Sequence, residues 1–251
     1  MSGHSKWANI KHKKAKSDEK RGREFTKVAK EIAIAVRMGG GPDPDSNSRL
    51  KLAIQKAKSI NMPNDNINRS IKKGSGELGG EAMEEFFYEG YGPGGVAIML
   101  KIATDNRNRT SADIRHLFSK HGGNMGENGC VSWMFNHVGL ITVNKENVTM
   151  DPDEFMLNII ECGADDVRED EENYEIITPM DQLMQVVEKV EKIVPIEEAD
   201  LVMLPQNMME ITDKVMAEKV LKLIDILEDH DDVENVYSNI SIPDEIAEQL
   251  D

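Results

Sequence analysis

Cysteine is almost absent: Cys130 and Cys162 are the only two in 251 residues. A disulfide framework is excluded, and a reducing, cytoplasmic setting is the expectation. Aromatic residues make up 5 % of the chain, although hydrophobic residues reach 39 %. Several small cores joined by linkers fit that composition better than one large core. No apolar run reaches about 18 residues, so nothing is expected to span a membrane. Polar and basic residues follow Met1 at once, with neither the apolar stretch of a secretory signal nor an Arg- and Ser-rich presequence. Catalytic signatures are missing too: there is no G-x-S-x-G, Walker A, H-E-x-x-H or G-x-G-x-x-G. "GYGPGG" (Gly90–Gly95) lacks the Lys-Ser/Thr of a phosphate loop and reads as a hairpin turn. His4, His12, His116, His121, His137 and His230 include no Cys/His cluster with zinc spacing. Acidic pairs such as Asp165-Asp166 and Asp231-Asp232 read as solvated edges and turns. The expectation is a protein without catalytic residues, metal or cofactor.

What the chain does have is a division of charge. The total is −16. Residues 1–78 carry 18 Lys and Arg against 8 Asp and Glu, net +10, whereas residues 79–251 carry 12 against 38, net −26. Such an asymmetry suggests a basic module aimed at a polyanion, joined to a body that the polyanion repels. The alternative is a basic module neutralised by the acidic body of its own chain.

Residues 1–20 are polar and without apolar periodicity, an arm that is flexible or helical only when bound. Phe25, Val28, Ile32 and Val36 then mark an amphipathic helix, which the glycines after Met38 and Pro42 end. Asp45 or Ser46 is the expected cap of a second helix, carrying Leu50, Ala53, Ile54 and Ala57. "MPNDNINRSIKKG" reads as a third, capped by Asn64 or Asp65 and stopped by Gly74. Residues 1–78 are thus a basic arm and helical bundle that binds nucleic acid, and "GSGELGG" is a linker. Beyond it the period becomes 2. Strands are expected at 85–91, at 96–103 (central, because both faces are apolar) and over "CVSWMF" (Cys130–Phe135), with a helix around Ile114, Leu117 and Phe118. Residues 137–204 then run β-α-β-β-α-β, the ferredoxin-like order. The helix and strand left over at 211–240 cannot make a core alone. They complete the sheet begun before 136, giving a discontinuous α+β domain of 79–136 plus 205–251, into which the acidic 137–204 is inserted. The fold class is multidomain α+β.

The stretch His4–Lys27 holds nine Lys or Arg against three acids. Lys13, Lys16, Lys20, Arg23, Lys27 and Lys30 fall within about a 100° arc of one helix face. A phosphate backbone favours such a stripe, because each neutralised phosphate releases condensed counterions. Trp7 offers a ring for stacking on an unpaired base. Lys6, Trp7, Lys11, His12, Lys13, Lys14, Lys16, Lys20, Arg21, Arg23 and Lys27 are therefore candidate nucleic-acid contacts. Arg49, Lys51, Lys56 and Lys58, with Arg69, Lys72 and Lys73, extend the basic surface. In "TDNRNRTSADIRHLF", Arg107 and Arg109 stand at a helix N-terminus, where the macrodipole disfavours cations. They are candidates for a second phosphate contact, with a salt bridge to acidic neighbours as the competing reading.

Four stretches, "GHSKWANIKHKKAKSDEKRGREFTKVAKEI", "MPNDNINRSIKKG", "YEGYGPGGVAI" and "TDNRNRTSADIRHLFSKHGGNMGENGCVSWMF", resemble the YebC/PmpR family, which includes the mitochondrial translational activator of cytochrome oxidase subunit one. The resemblance runs through the whole chain. It implies a helical N-terminal domain and two α+β domains, one inserted in the other. It also implies a non-catalytic regulator of gene expression: either a ribosome-associated translation factor that helps synthesis through proline-rich stretches, or a DNA-binding transcriptional regulator. An arm dense in Lys, with one Trp and no clear base-reading helix, favours rRNA and the ribosome as partner. Helices two and three around "MPNDN" would serve DNA as a helix-turn-helix. The acidic module, net −14 over residues 135–204, is free to face away from nucleic acid or to meet a basic protein.

Overall fold

The computed structural model describes residues 18–79, 83–170 and 172–250, with side chains from Gly22 onward. The chain forms two compact units. One is Phe135–Gln206; the other comprises residues 18–134 and 207–250.

Three helices open the larger unit: α1 (Asp18–Met38), α2 (Ser48–Ser59) and α3 (Asn64–Gly74). Val28, Ile32, Ala35 and Val36 of α1 pack against Leu50, Ala53, Ala57, Met62 and Ile67. The α1 helix is not simply amphipathic, because every residue from Ile32 to Val36 is buried. Its second face sets Ile34 against Met83 and Ala103. An uninterrupted Ile-Ala-Ile-Ala-Val run is the sequence mark of a helix covered on both sides.

The caps differ from those expected. Asn47, not Asp45 or Ser46, begins α2. Its Oδ1 accepts from the Leu50 amide at 3.0 Å, while its Nδ2 donates to the carbonyls of Ala35 and Gly41, each at 2.8 Å. Only an amide side chain caps one helix while donating twice to the end of another; Asp and Ser lack the two donors. At α3 the cap is Pro63, without a side-chain hydrogen bond. Gly74 does more than end α3: a Cβ there would stand 2.5 Å from the Ala33 carbonyl oxygen, so glycine lets α3 approach α1.

The α+β part of this unit contains β1 (Glu84–Tyr91), β2 (Ala97–Thr104), α4 (Arg107–Lys120), β3 (Asn124–Met125), and, after the other unit, α7 (Lys214–Glu228) and β9 (Val233–Ser238). The strands form one antiparallel sheet in the order β3-β1-β2-β9. β2 is central and buried on both faces. Two short strands, β8 (Met209–Glu210) and β10 (Ile240–Ser241), pair in parallel, and α8 (Asp244–Ala247) follows.

The smaller unit is β4 (Phe135–Asn144), α5 (Pro152–Glu161), β5 (Asp166–Glu169), β6 (Asn173–Pro179), α6 (Leu183–Val190) and β7 (Glu198–Pro205). Its antiparallel sheet runs β5-β6-β4-β7, the ferredoxin-like arrangement. It is inserted between β3 and β8. Two boundaries differ from the reading of the sequence. The inserted unit runs Phe135–Gln206 rather than 137–204, and the helical bundle shares a compact unit with the discontinuous α+β part.

"CVSWMF" is not a strand before its last residue, Phe135, which opens β4. Ser132–Met134 is a 3₁₀ turn, and the reason is the buried Glu89. Its carboxylate accepts from the amides of Gly129, Val131 and Ser132, each at 2.8 Å. Amides gathered by one carboxylate are withdrawn from any sheet ladder. Burial alone would raise the Glu89 pKa, and the three backbone hydrogen bonds outweigh it and lower it. The nearby Cys130 thiol is pushed up by burial and then by the Glu89 charge, which leaves little nucleophilic thiolate.

Candidate nucleic-acid interface

Lys6, Trp7, Lys11, His12, Lys13, Lys14 and Lys16 lie outside the described residues. Lys20 and Arg21 stand on the first turns of α1, and their side chains lie outside them as well.

The described part of the basic stripe turns toward its own chain. Arg23 forms an ion pair with Asp229 at 2.9 Å. Lys27 donates to the Glu228 carbonyl at 2.5 Å. Lys30 meets the Asp232 carboxylate at 2.7 Å and the Asp231 carbonyl at 2.8 Å. The three cations follow one helix face and meet the C-terminal end of α7 and the turn into β9. There, unpaired helix carbonyls and a run of acids present negative charge.

Asp232 is the centre of this contact. Lys30, Arg109 and the Thr110 hydroxyl all donate to its carboxylate, at 2.7, 3.0 and 2.8 Å. Burial alone would raise its pKa; hydrogen bonds from Lys30, Thr110 and Arg109 overcome that and hold it far below the usual carboxylate range. Arg109 also reaches Asp105 at 3.2 Å, and its own pKa is raised by Asp232 first and Asp105 second. The structure thus places Arg109 in an ion-pair cluster that ties α1, α4 and β9 together. Asp232 is not a solvated turn residue, contrary to the expectation for the Asp231-Asp232 pair.

Arg107 is held differently. Its guanidinium lies over the Phe86 ring, 4.2 Å from the centroid. It is exposed and has no carboxylate partner among the described residues. Further outward cations stand on α2 and α3. Lys51, Lys58, Arg69, Lys72 and Lys73 are exposed, while Arg49 pairs with Glu85 and Lys56 with Glu31 at 3.3 Å. Arg69, Lys72 and Lys73 have no ion-pair partner among the described residues, so the C-terminal half of α3 is a cationic surface. Sequence reasoning passed over Arg115, which stands eight residues after Arg107 on the same face of α4, although that spacing was the signal for it.

Two family descriptions fit consecutive parts of the chain: the N-terminal domain of TACO1/YebC proteins over residues 5–77, and their second and third domains over residues 83–240. The chain therefore belongs to the TACO1/YebC family. A relative from Syntrophomonas wolfei subsp. wolfei is 64 % identical over 100 % of both chains, and one from Halothermothrix orenii is 55 % identical over 100 % of this chain and 99 % of its own. Each is named a probable transcriptional regulatory protein. The crystal structure of a conserved hypothetical protein from Aquifex aeolicus matches with a TM-score of 0.86 at 49 % identity, covering 95 % of this chain and 97 % of that one. Among the described residues no helix is long and apolar enough to cross a membrane, and no group of His, Cys, Asp and Glu has the arrangement of a metal site.

Proposed function

We propose that this chain is a non-catalytic, nucleic-acid-binding regulator of gene expression in the cytoplasm, acting on RNA at the ribosome and assisting translation through difficult, proline-rich stretches. One observation carries the reading: a net +10 N-terminal module whose α3 end keeps Arg69, Lys72 and Lys73 exposed, in a chain that is otherwise strongly acidic. The Lys-rich arm supplies charge and Trp7 a stacking surface, a combination suited to single-stranded or structured RNA. The acidic inserted unit is repelled by the same polyanion and is available to a basic protein. A second reading, a DNA-binding transcriptional regulator, is favoured by the names of the relatives and by the short connection between α2 and α3.

Co-sedimentation separates the two. The purified chain is expected to travel with ribosomes at moderate salt and to bind linear duplex DNA with little sequence preference. A duplex site bound about a thousandfold tighter than random DNA, the lower range for specific readers, would replace translation with transcription. A salt series then tests the arm. Changing Lys11, Lys13, Lys14 and Lys16 together to Ala should flatten the slope of log affinity against log salt, by up to ~0.7 for each single-strand phosphate that the variant no longer neutralises. Trp7→Ala should instead cost ~1–3 kcal/mol with the slope nearly unchanged. Unaltered affinity and slope in the four-Lys variant would remove the arm from the interface.

A further inference from the structure

A cleft of about 550 Å³ opens beside α4, away from the Asp232 cluster. One wall is the outward face of α4, with Arg107, Asn108 and Arg115; the other is the loop after β3, with Glu127 and Asn128, and Tyr88 also lines it. Both arginines are exposed and lack a carboxylate partner among the described residues, in a body where most charges are negative. Arg107 is oriented without neutralisation: its guanidinium rests on Phe86 and its carbonyl accepts from the Tyr88 hydroxyl at 3.3 Å. Its place in the first turn of α4 opposes the macrodipole, a local cost of the kind found where a residue serves a ligand.

The opposite wall is fixed as well. Three amides on the Glu89 carboxylate hold the loop that follows Asn128. Gly126 lies so close to Cys130 that a Cβ would stand 2.5 Å from its Sγ. The lining is polar and the cleft opens broadly to solvent, unlike the enclosed, mainly apolar pockets that hold small metabolites. Eight residues of helix separate Arg107 from Arg115 by about 12 Å along the axis. A stacked strand rises about 3.4 Å per nucleotide, so that separation spans roughly three to four nucleotides. The arrangement is sided. Cations for phosphates stand on the helix wall. Asn128, which both donates and accepts, and Glu127, which only accepts, stand on the loop wall. A carboxylate there repels phosphate and accepts from a base amino group or a ribose 2′-hydroxyl.

We propose that this cleft binds a run of three to four unpaired nucleotides of the RNA that the N-terminal module attracts. Phosphates meet Arg107 and Arg115, and base edges or 2′-hydroxyls meet Asn128 and Glu127. The proposal rests on the nucleic-acid reading above, and the experiment tells their failures apart. The full chain is mixed with a single-stranded uridine dodecamer carrying 4-thiouridine, irradiated, and its crosslinked peptides mapped; affinity is measured in parallel over a salt series. Crosslinks are expected within residues 107–128 as well as in the N-terminal module. The Arg107→Gln, Arg115→Gln double variant should lose the former, keep the latter, and lower the salt slope by about 1.4, ~0.7 for each of two phosphates. Arg107→Lys, Arg115→Lys should keep most of that slope, because it retains both charges. Thermal melts of all variants should match the parent, since both arginines are exposed. Binding with crosslinks confined to the N-terminal module, and unchanged in the Gln variant, would overturn the cleft and leave the nucleic-acid reading intact. Absence of oligonucleotide binding by the parent chain would overturn both. Protection of Arg107 and Arg115 by a polyglutamate peptide but not by the oligonucleotide would reassign the cleft to an acidic protein.

Discussion

Two buried carboxylates two residues apart have opposite titration behaviour, because their neighbours differ. Asp232 has several donors; Glu234 has only the Lys101 ammonium beside it. The Glu234 carboxylate lies 3.2 Å from the Lys101 ammonium, yet neither of its oxygens accepts a hydrogen bond. Burial pushes its pKa from 4.5 up to about 7, opposed by Lys101 and reinforced by Glu31 and Glu85. Between pH ~4.5 and ~7 the unfolded chain releases this proton and the folded chain keeps it. Glu234 therefore makes stability fall as pH rises through that window, by about 3 kcal/mol at 1.36 kcal/mol per pKa unit, and has no further effect above it. Urea midpoints at pH 5, 6, 7 and 8 should show the parent losing stability relative to Glu234→Gln across this range. Parallel curves would refute the assignment. The lowered pKa of Asp232 acts in the opposite sense: its contribution is present above the ordinary carboxylate pKa and is lost only in strong acid. Asp232→Asn removes the negative charge that half-buried Lys30 and exposed Arg109 share and should cost about 1–3 kcal/mol. A denaturant midpoint within error of the parent would show the cluster to be dispensable.

At the scale of elements, ends and joints carry the specificity. Asn47 joins α1 to α2, so Asn47→Asp should be nearly as harmful as Asn47→Ala. Aspartate keeps the cap but leaves the Gly41 carbonyl without its Asn47 donor and the Ala35 carbonyl with the Gly39 amide alone, an expected loss of about 1–3 kcal/mol. If Asn47→Asp matched the parent in a urea titration, capping alone would explain the residue. Helix and strand periods, the central position of β2 and the β-α-β-β-α-β order of the inserted unit were legible in the sequence, because each depends on repeated spacing or on chain order. The true cap of α2, the turn at Ser132–Met134 and the inward direction of Lys27 and Lys30 were not. Each depends on one side chain meeting a partner distant in the chain: Asn47 with Ala35, Glu89 with Val131, Lys30 with Asp232. Periodicity places a cation on a helix face without saying what stands opposite, and here the face read as a phosphate stripe meets, over its described part, the acidic turn before β9. The exposed end of α3 lacks such a partner, and there the sequence and the structure both leave cations outward.

For the whole molecule, the order of assembly follows from which contacts cross the insertion. β9 pairs with β2 through Ile98, Met99, Leu100 and Lys101, and α7 contributes Val220, Leu223, Ile224 and Leu227 to the buried core. Both elements, β9 and α7, come after the inserted unit in the chain. They also bring Asp232 to Lys30 and Arg109, so the larger unit is incomplete until residues 207–250 have been made. The inserted unit closes its own sheet, with β7 beside β4, before that point. Two shortened chains should then behave in opposite ways. Replacing residues 135–206 by a short Gly/Ser linker removes one closed sheet and keeps every strand of the other; it should leave a cooperatively melting protein that retains the Lys30–Asp232 cluster. Ending the chain at Gln206 keeps more residues, but it strips β9 from the central strand, uncovers the apolar face that α7 packs, and leaves half-buried Lys30 without its Asp232 carboxylate. Loss of one central strand pairing and of four core side chains of α7, at about 2–5 kcal/mol for each large core side chain removed, exceeds a typical total stability of about 5–15 kcal/mol. The larger unit of that truncated chain should therefore be unfolded while Phe135–Gln206 stays folded. Amide exchange resolves the two units, with protection expected at Ile141 and Ile176 but not at Ile98 and Leu100. Protection of β2 in the truncated chain, together with its loss in the linker variant, would show that the inserted unit supports the fold around it.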